Sequence, residues 1–138
     1  MKRSKIILTI MISAVILSAC GASSDPILSV NGSADKTYTK KELMGFSQVE
    51  SAYMNKEGEI TEYVGVPIIS LLEDCGIETY SSVTMVASDG YSAEITYEEL
   101  TACNKCIITF QGNNGLLAVI PDFSSKLQVR DLIELQIH

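Results

Sequence analysis

Histidine occurs once in this chain, as His138, the last residue. A lone histidine at a frayed chain end makes a poor general base. No G-x-S-x-G, H-E-x-x-H or phosphate-loop motif offers another catalytic arrangement. Basic residues are also scarce: Lys and Arg total 10 against 17 Asp and Glu, for a formal net charge of −7. Nucleic-acid binding needs Lys and Arg clustered against phosphates, so no nucleic-acid partner is expected. The acidic surplus favours solubility first and cationic partners second. Cysteine appears four times, as Cys20, Cys75, Cys103 and Cys106. With His138, the last three are too scattered for the closed four-ligand set of a zinc site. Neither an internal repeat nor a low-complexity tract is present.

What the chain does have begins at its first residues. Lys2, Arg3 and Lys5 form a positive n-region, and Ile6–Leu17 is an apolar run of signal-peptide length. That run is too short for a comfortable membrane span. It ends Leu17-Ser18-Ala19-Cys20, small residues before a cysteine, in the order of a bacterial lipobox. The expected division is a lipoprotein signal peptide at 1–19, a lipidated Cys20 with a short tether to residue 26, and one domain at 27–138. Loss of the signal removes three basic and no acidic residues, taking the charge from −7 to −10. The expected location is the extracytoplasmic face of a bacterial cell membrane. The lipid bilayer would be the partner through Cys20, since two or more acyl chains hold a protein stably without a transmembrane helix.

The best-specified stretch is Tyr63–Leu100. Pro67 suits a first helical turn, where no intrahelical N–H is needed. Ile68, Leu71, Leu72 and Cys75 follow at helical spacing, and Gly76 supplies a left-handed stop. Val83–Ala87 reads as a strand, Asp89-Gly90 as a turn and Tyr91–Ile95 as the returning strand. Thr96-x-x-Glu99 is a capping box opening another short helix. Upstream, Ile27–Asn31 reads as a strand, and Thr39-x-x-Glu42 caps a helix over Lys40–Phe46. Val49–Met54 and Glu59–Val64 read as a hairpin about Asn55–Gly58. Downstream come strands at Lys105–Phe110 and Leu116–Ile120 around an Asn113-Asn114-Gly115 turn. A loop at Pro121–Lys126, a short turn and a last strand within Leu127–Ile137 complete the chain. Short strands with few, short helices give an α+β expectation: a mixed, partly curled β-sheet with small helices packed against it.

Gly65–Ile77 reads G-V-P-I-x-x-L-L-E-x-x-G-I. Val83–Ser92 reads V-x-x-x-A-S-D-G-Y-S, and Glu98-Glu99-Leu100 follows. This ordered set resembles the oxidoreductase molybdopterin-binding domain of the sulfite oxidase superfamily, over about Ile27 to the C-terminus. The resemblance implies that family's fold, a cysteine thiolate on molybdenum and polar residues around the pterin phosphate. It also places the ligand cysteine upstream of the G-V-P helix. Here that region is Gln48–Tyr63, which has no cysteine; Tyr53 and Met54 stand where one is expected. The family's P-L-R-x-x-x-P, aligned on Pro121, puts Leu117 at the arginine position. Val129-Arg130-Asp131-Leu132 matches the following V-K-W-L in part, with Arg130 in place of the lysine. One cation for a multiply charged phosphate is costly.

The expectation is therefore a kept scaffold that has lost its metal-ligating cysteine. It would work as a ligand-binding or accessory module for a small molecule or surface protein, not as a self-sufficient enzyme. No cofactor is expected from the residues; molybdopterin is implied by the resemblance alone. Candidate cofactor- or ligand-binding residues are Tyr53, Tyr63, Asp89, Tyr91 and Arg130. The tyrosines offer rings for stacking, although half-buried strand tyrosines are common, and Asp89 is also ordinary turn chemistry.

Cys103-Asn104-Lys105-Cys106 is compatible with a dithiol redox pair, half a zinc site or a structural disulfide. It falls at the C-terminal end of a helix, where the dipole does not activate a thiol. A surface disulfide or two unconnected thiols is the favoured reading. Cys75, on the apolar side of its helix, reads as a buried inert thiol, with a disulfide to Cys103 or Cys106 left open. Two enzyme alternatives stand beside the module reading. One is a molybdopterin-dependent oxidoreductase with a relocated ligand, Cys103 or Cys106. The other is a C-x-x-C thiol–disulfide protein.

Overall fold

The computed structural model describes residues 25–112 and 115–138. The expected signal peptide, Cys20 and the Asn113-Asn114 part of the predicted turn lie outside them. The described chain runs β1 (Pro26–Asn31), β2 (Lys36–Thr39), α1 (Lys40–Met44), β3 (Val49–Met54), β4 (Ile60–Pro67) and α2 (Ile68–Asp74). Then follow β5 (Ser82–Ala87), β6 (Ser92–Thr96), α3 (Tyr97–Thr101), β7 (Ile107–Gln111), β8 (Gly115–Val119), a 3-10 turn at Ser125–Leu127 and β9 (Leu132–Ile137). Among the described residues no helix is long and apolar enough to cross a membrane.

The fold is α+β, and the strands form two sheets where one curled sheet was expected. One has the order β2-β1-β9-β5-β6 and the other β3-β4-β7-β8. The β1–β9 pair is parallel and every other pair antiparallel. The inward faces of both sheets and α2 share one core, with Leu28, Val30, Val83, Met85, Leu135 and Ile68 among its buried members. The apolar run through β8 reflects burial on both faces. Leu116 and Ala118 join the main core, while Leu117 and Val119 join Ile107 in a smaller cluster across the sheet.

Local signals set the connections. Both capping boxes form: Thr39 with Glu42, and Thr96 with Glu99. The first helix ends two residues earlier than predicted, at Met44, with Gly45 as its C-cap. Helix α2 ends as its sequence demands. Gly76 has φ 72°, its N–H donates to the Glu73 carbonyl, and the Ile77 N–H reaches the Leu72 carbonyl at 2.9 Å. That pair of bonds is a Schellman motif, with Ile77 packed in the core beyond it. Strand β2, Lys-Thr-Tyr-Thr, was not predicted; it has one apolar anchor, the buried Tyr38. At Gly65 a Cβ would lie 2.3 Å from the Ile108 carbonyl oxygen, so β4 and β7 can pair this closely only with glycine there.

Candidate functional site

The β3–β4 hairpin has two faces. Its loop is built on Asn55, whose Oδ1 accepts from the Glu57 and Glu59 N–H groups at 3.0 and 2.9 Å. In register, Ser51 lies opposite Tyr63 and Tyr53 opposite Thr61. Tyr53 and Tyr63 are therefore diagonal neighbours on one face. They pack against Ile107, Leu117 and Val119. Met54 and Ile60 belong to the opposite face and are 60% and 64% exposed.

The loop after β8 returns beside the first face and is fixed there by the Gln128 side chain and by backbone bonds. Gln128 donates from Nε2 to the Ile120 carbonyl at 2.6 Å and accepts from the Ile120 N–H at 2.8 Å. The Ala118 N–H donates to the Val129 carbonyl at 2.9 Å, and Arg130 forms an isolated antiparallel bridge with Leu117. Arg130 thus has a held backbone and an exposed side chain. Hairpin and loop enclose a cleft of 390 Å³ lined by Tyr53, Lys56, Tyr63, Leu117, Gln128 and Arg130, among others. Neither Lys56 nor Arg130 is ion-paired with a described residue.

Three of the five predicted ligand-binding residues, Tyr53, Tyr63 and Arg130, meet in this cleft. Asp89 and Tyr91 do not line it. Asp89 Oδ1 accepts from the Tyr91 N–H at 2.9 Å, which closes the β5–β6 turn with Gly90 at φ 89°. Tyr91 Oη donates to the Lys126 carbonyl at 2.6 Å, and the Ser88 N–H donates to the Asp131 carbonyl at 2.9 Å. The Asp-Gly-Tyr-Ser turn therefore braces the loop that carries Arg130. Lys56 and Gln128 were missed by sequence reasoning. Lys56 looks like any hairpin-tip charge, and the partner of Gln128 is visible only once β8 is in place.

The remaining candidates lie elsewhere. Cys103 and Cys106 form a disulfide just beyond the C-terminus of α3. Cys106 is 1% exposed and its carbonyl accepts from the Ile68 N–H at 2.9 Å, so this half of the bond is interior, not at the surface. Cys103, half-buried, borders a separate hollow beside Asp122 and Phe123. Cys75 is only half-buried, and its Sγ lies 3.1 Å from Tyr38 Oη, which also meets Asp74 at 2.7 Å. Lys36 pairs with the same carboxylate. The bond from Lys36, then that from Tyr38, holds Asp74 below the usual carboxylate range. Burial pushes the Tyr38 hydroxyl far up, with Cys75 and Asp74 adding to the effect. His138 is not frayed: its N–H bonds the Ser82 carbonyl and its carbonyl accepts from Ser81. Among the described residues no three His, Cys, Asp or Glu side chains converge as a metal site.

No protein-family model and no curated protein matches this sequence. Among solved structures, the sulfane dehydrogenase SoxCD from Paracoccus pantotrophus matches with a TM-score of 0.69 and 16% identity. The match covers 80% of this chain and 37% of that chain, so the protein spans little more than a third of the enzyme chain it resembles. At this identity the likeness is one of fold. The chain shares the fold of the matched part of that enzyme chain.

Proposed function

We propose that this protein is a lipid-anchored, extracytoplasmic bacterial protein. Its domain keeps the fold of a molybdopterin-binding oxidoreductase domain and serves as a ligand-binding or accessory module. One observation carries the reading. Tyr53, near where the resemblance looks for the metal-binding thiolate, and Leu117, where it looks for an arginine, line the same cleft as Arg130. That grouping supports a cleft in the region where the resemblance would put the cofactor, with the donors exchanged.

The residues present do not fit a molybdopterin centre. A soft metal centre of this kind needs a thiolate, and no cleft-lining residue is a cysteine. Cys103 and Cys106 are bonded to each other, and Cys75 sits at the end of α2 against Tyr38. The charged lining is Lys56, Glu57 and Arg130. One positive charge in excess is little for a pterin phosphate taken out of water.

The anchoring half of the proposal rests on the order of charge, apolar run, small residues and Cys20. Strand β1 begins at Pro26, so Gly21–Asp25 alone would separate the domain from the bilayer. Elemental analysis and mass spectrometry of protein extracted from native-host membranes test both halves. The expected result is no stoichiometric molybdenum and a diacylated Cys20. Molybdenum near one per chain, with a pterin released on denaturation, would overturn the module reading and favour a relocated cysteine ligand. An unmodified N-terminal region would overturn the anchor.

A further inference from the structure

We infer that the cleft between the β3–β4 hairpin and the loop after β8 binds a planar organic monocarboxylate, with an aromatic body and one anionic end. The inference deepens the ligand-binding reading above and rests on it. Charge is the first ground. Arg130 is the only arginine besides Arg3 in a chain with 17 acidic residues, yet no described carboxylate pairs with it. A guanidinium offers a planar fork that takes a carboxylate through two parallel hydrogen bonds. Lys56 adds a second cation and Glu57 removes one charge, so the lining carries a single net positive charge. That balance suits a monoanion and disfavours a phosphate or other multiply charged group.

The walls are the second ground. Leu117 and Val119, 4% and 1% exposed, give an apolar floor, and the Tyr53 and Tyr63 rings flank it. Neither tyrosine hydroxyl bonds a described residue, which leaves both free to meet a ligand or water at the rim. Aromatic rings against apolar side chains favour a flat, unsaturated body over a compact inorganic oxyanion. A volume of 390 Å³ is at the small end of ligand sites and suits a one- or two-ring compound. Arg130 is also preplaced by its bridge to Leu117, so little backbone order is lost on binding.

Calorimetric titration of the full-length, detergent-extracted protein with 2-naphthoate tests this. Comparison probes are 2-naphthalenemethanol, cyclohexanecarboxylate and inorganic phosphate. Saturable one-site binding of naphthoate is expected, with the neutral alcohol at least about tenfold weaker. Arg130→Gln should weaken naphthoate by a similar factor, and Arg130→Lys by less, because charge is kept and the fork lost. Tyr63→Leu should erase the preference for naphthoate over cyclohexanecarboxylate while both still bind. Unfolding midpoints of the variants separate lost binding from lost folding. No saturable binding below millimolar concentration, binding indifferent to Arg130→Gln, or phosphate binding more tightly than naphthoate would each overturn the inference. Molybdenum measured in the same preparation distinguishes the two failures. A metal-free protein that ignores naphthoate sinks the ligand class alone, whereas stoichiometric molybdenum sinks the module reading itself.

Discussion

Gln128 is the residue on which the geometry of the cleft loop turns, and its loss should be measurable. The Gln128 amide closes both backbone groups of Ile120, accepting from its N–H at 2.8 Å and donating to its carbonyl at 2.6 Å. Ile120 is fully buried, at the point where β8 has ended and no strand partner takes over. A buried backbone group left unpaired costs about 1–3 kcal/mol, so Gln128→Ala exposes the fold to about 2–6 kcal/mol. Gln128 borders the cleft, and water entering from it would repair part of that loss. The lower end, about 2 kcal/mol, is the expectation. For a domain of this size that lowers the thermal midpoint by about 10 °C. Circular dichroism melts of wild type and Gln128→Ala measure it. Gln128→Glu adds a sharper test. An ionised carboxylate accepts from the Ile120 N–H but cannot donate to the carbonyl, whereas the protonated acid does both. The folded state therefore raises that glutamate's pKa. Its stability should be present below the ordinary glutamate value and be lost as pH rises through the folded one. An alanine variant melting within about 1 °C of wild type would refute the assignment of Gln128 as the clamp. So would a glutamate variant whose relative stability ignores pH.

The Cys103–Cys106 bond closes a very short loop, so Cys103→Ser with Cys106→Ala should cost on the order of 2 kcal/mol in urea unfolding. Cys106 is buried and the pair lies beyond a helix C-terminus, so no dithiol-exchange turnover above background is expected in an insulin-reduction assay. Turnover at the rate of a dithiol carrier would restore the thiol–disulfide reading. Asp74 is held below its ordinary 3.8 by Lys36 and then Tyr38. Its contribution is therefore complete above that value and is lost as pH falls through the lower folded one. The group is partly exposed, so the effect is small. Asp74→Asn should flatten this acid step in pH-dependent melts, and identical acid profiles for the two proteins would contradict it.

The element order was legible because each local signal has a local cause. Pro67 and Gly76 bracket a helix by backbone geometry, and the two Thr-x-x-Glu boxes satisfy N–H groups within one turn. Strand β2 was illegible for the opposite reason: one buried tyrosine among polar residues has no period to read. Two sheets read as one because the apolar run at Leu116–Ile120 does not say that its alternate side chains serve different clusters. The cleft was legible where strand register decides it. The Asn55–Gly58 turn fixes the hairpin pairing, and the pairing puts Tyr53 and Tyr63 on one face. Where the chain closes on itself from a distance, as Gln128 does on Ile120 and Tyr91 on Lys126, sequence carried no mark.

On the proposed reading, a scaffold whose cofactor donors are exchanged keeps its shape through packing. A cofactor bound only by the folded state stabilises that state, and a domain without one must find the free energy elsewhere. Leu117 and Tyr53 sit in the cluster with Ile107 and Val119, on the side of the second sheet away from the main core. Leu117 is 4% exposed there, and burying a leucine side chain is worth about 1.5–3 kcal/mol. An arginine in its place would bring a charge to the same spot without an anion to pair it. On that reading, an apolar wall in place of a cofactor donor turns the floor of the cleft into packing. Arg130, outside that cluster and in solvent, needs no such exchange. A floor closed by Leu117 beside a free guanidinium is the arrangement from which an apolar ligand with one negative end follows.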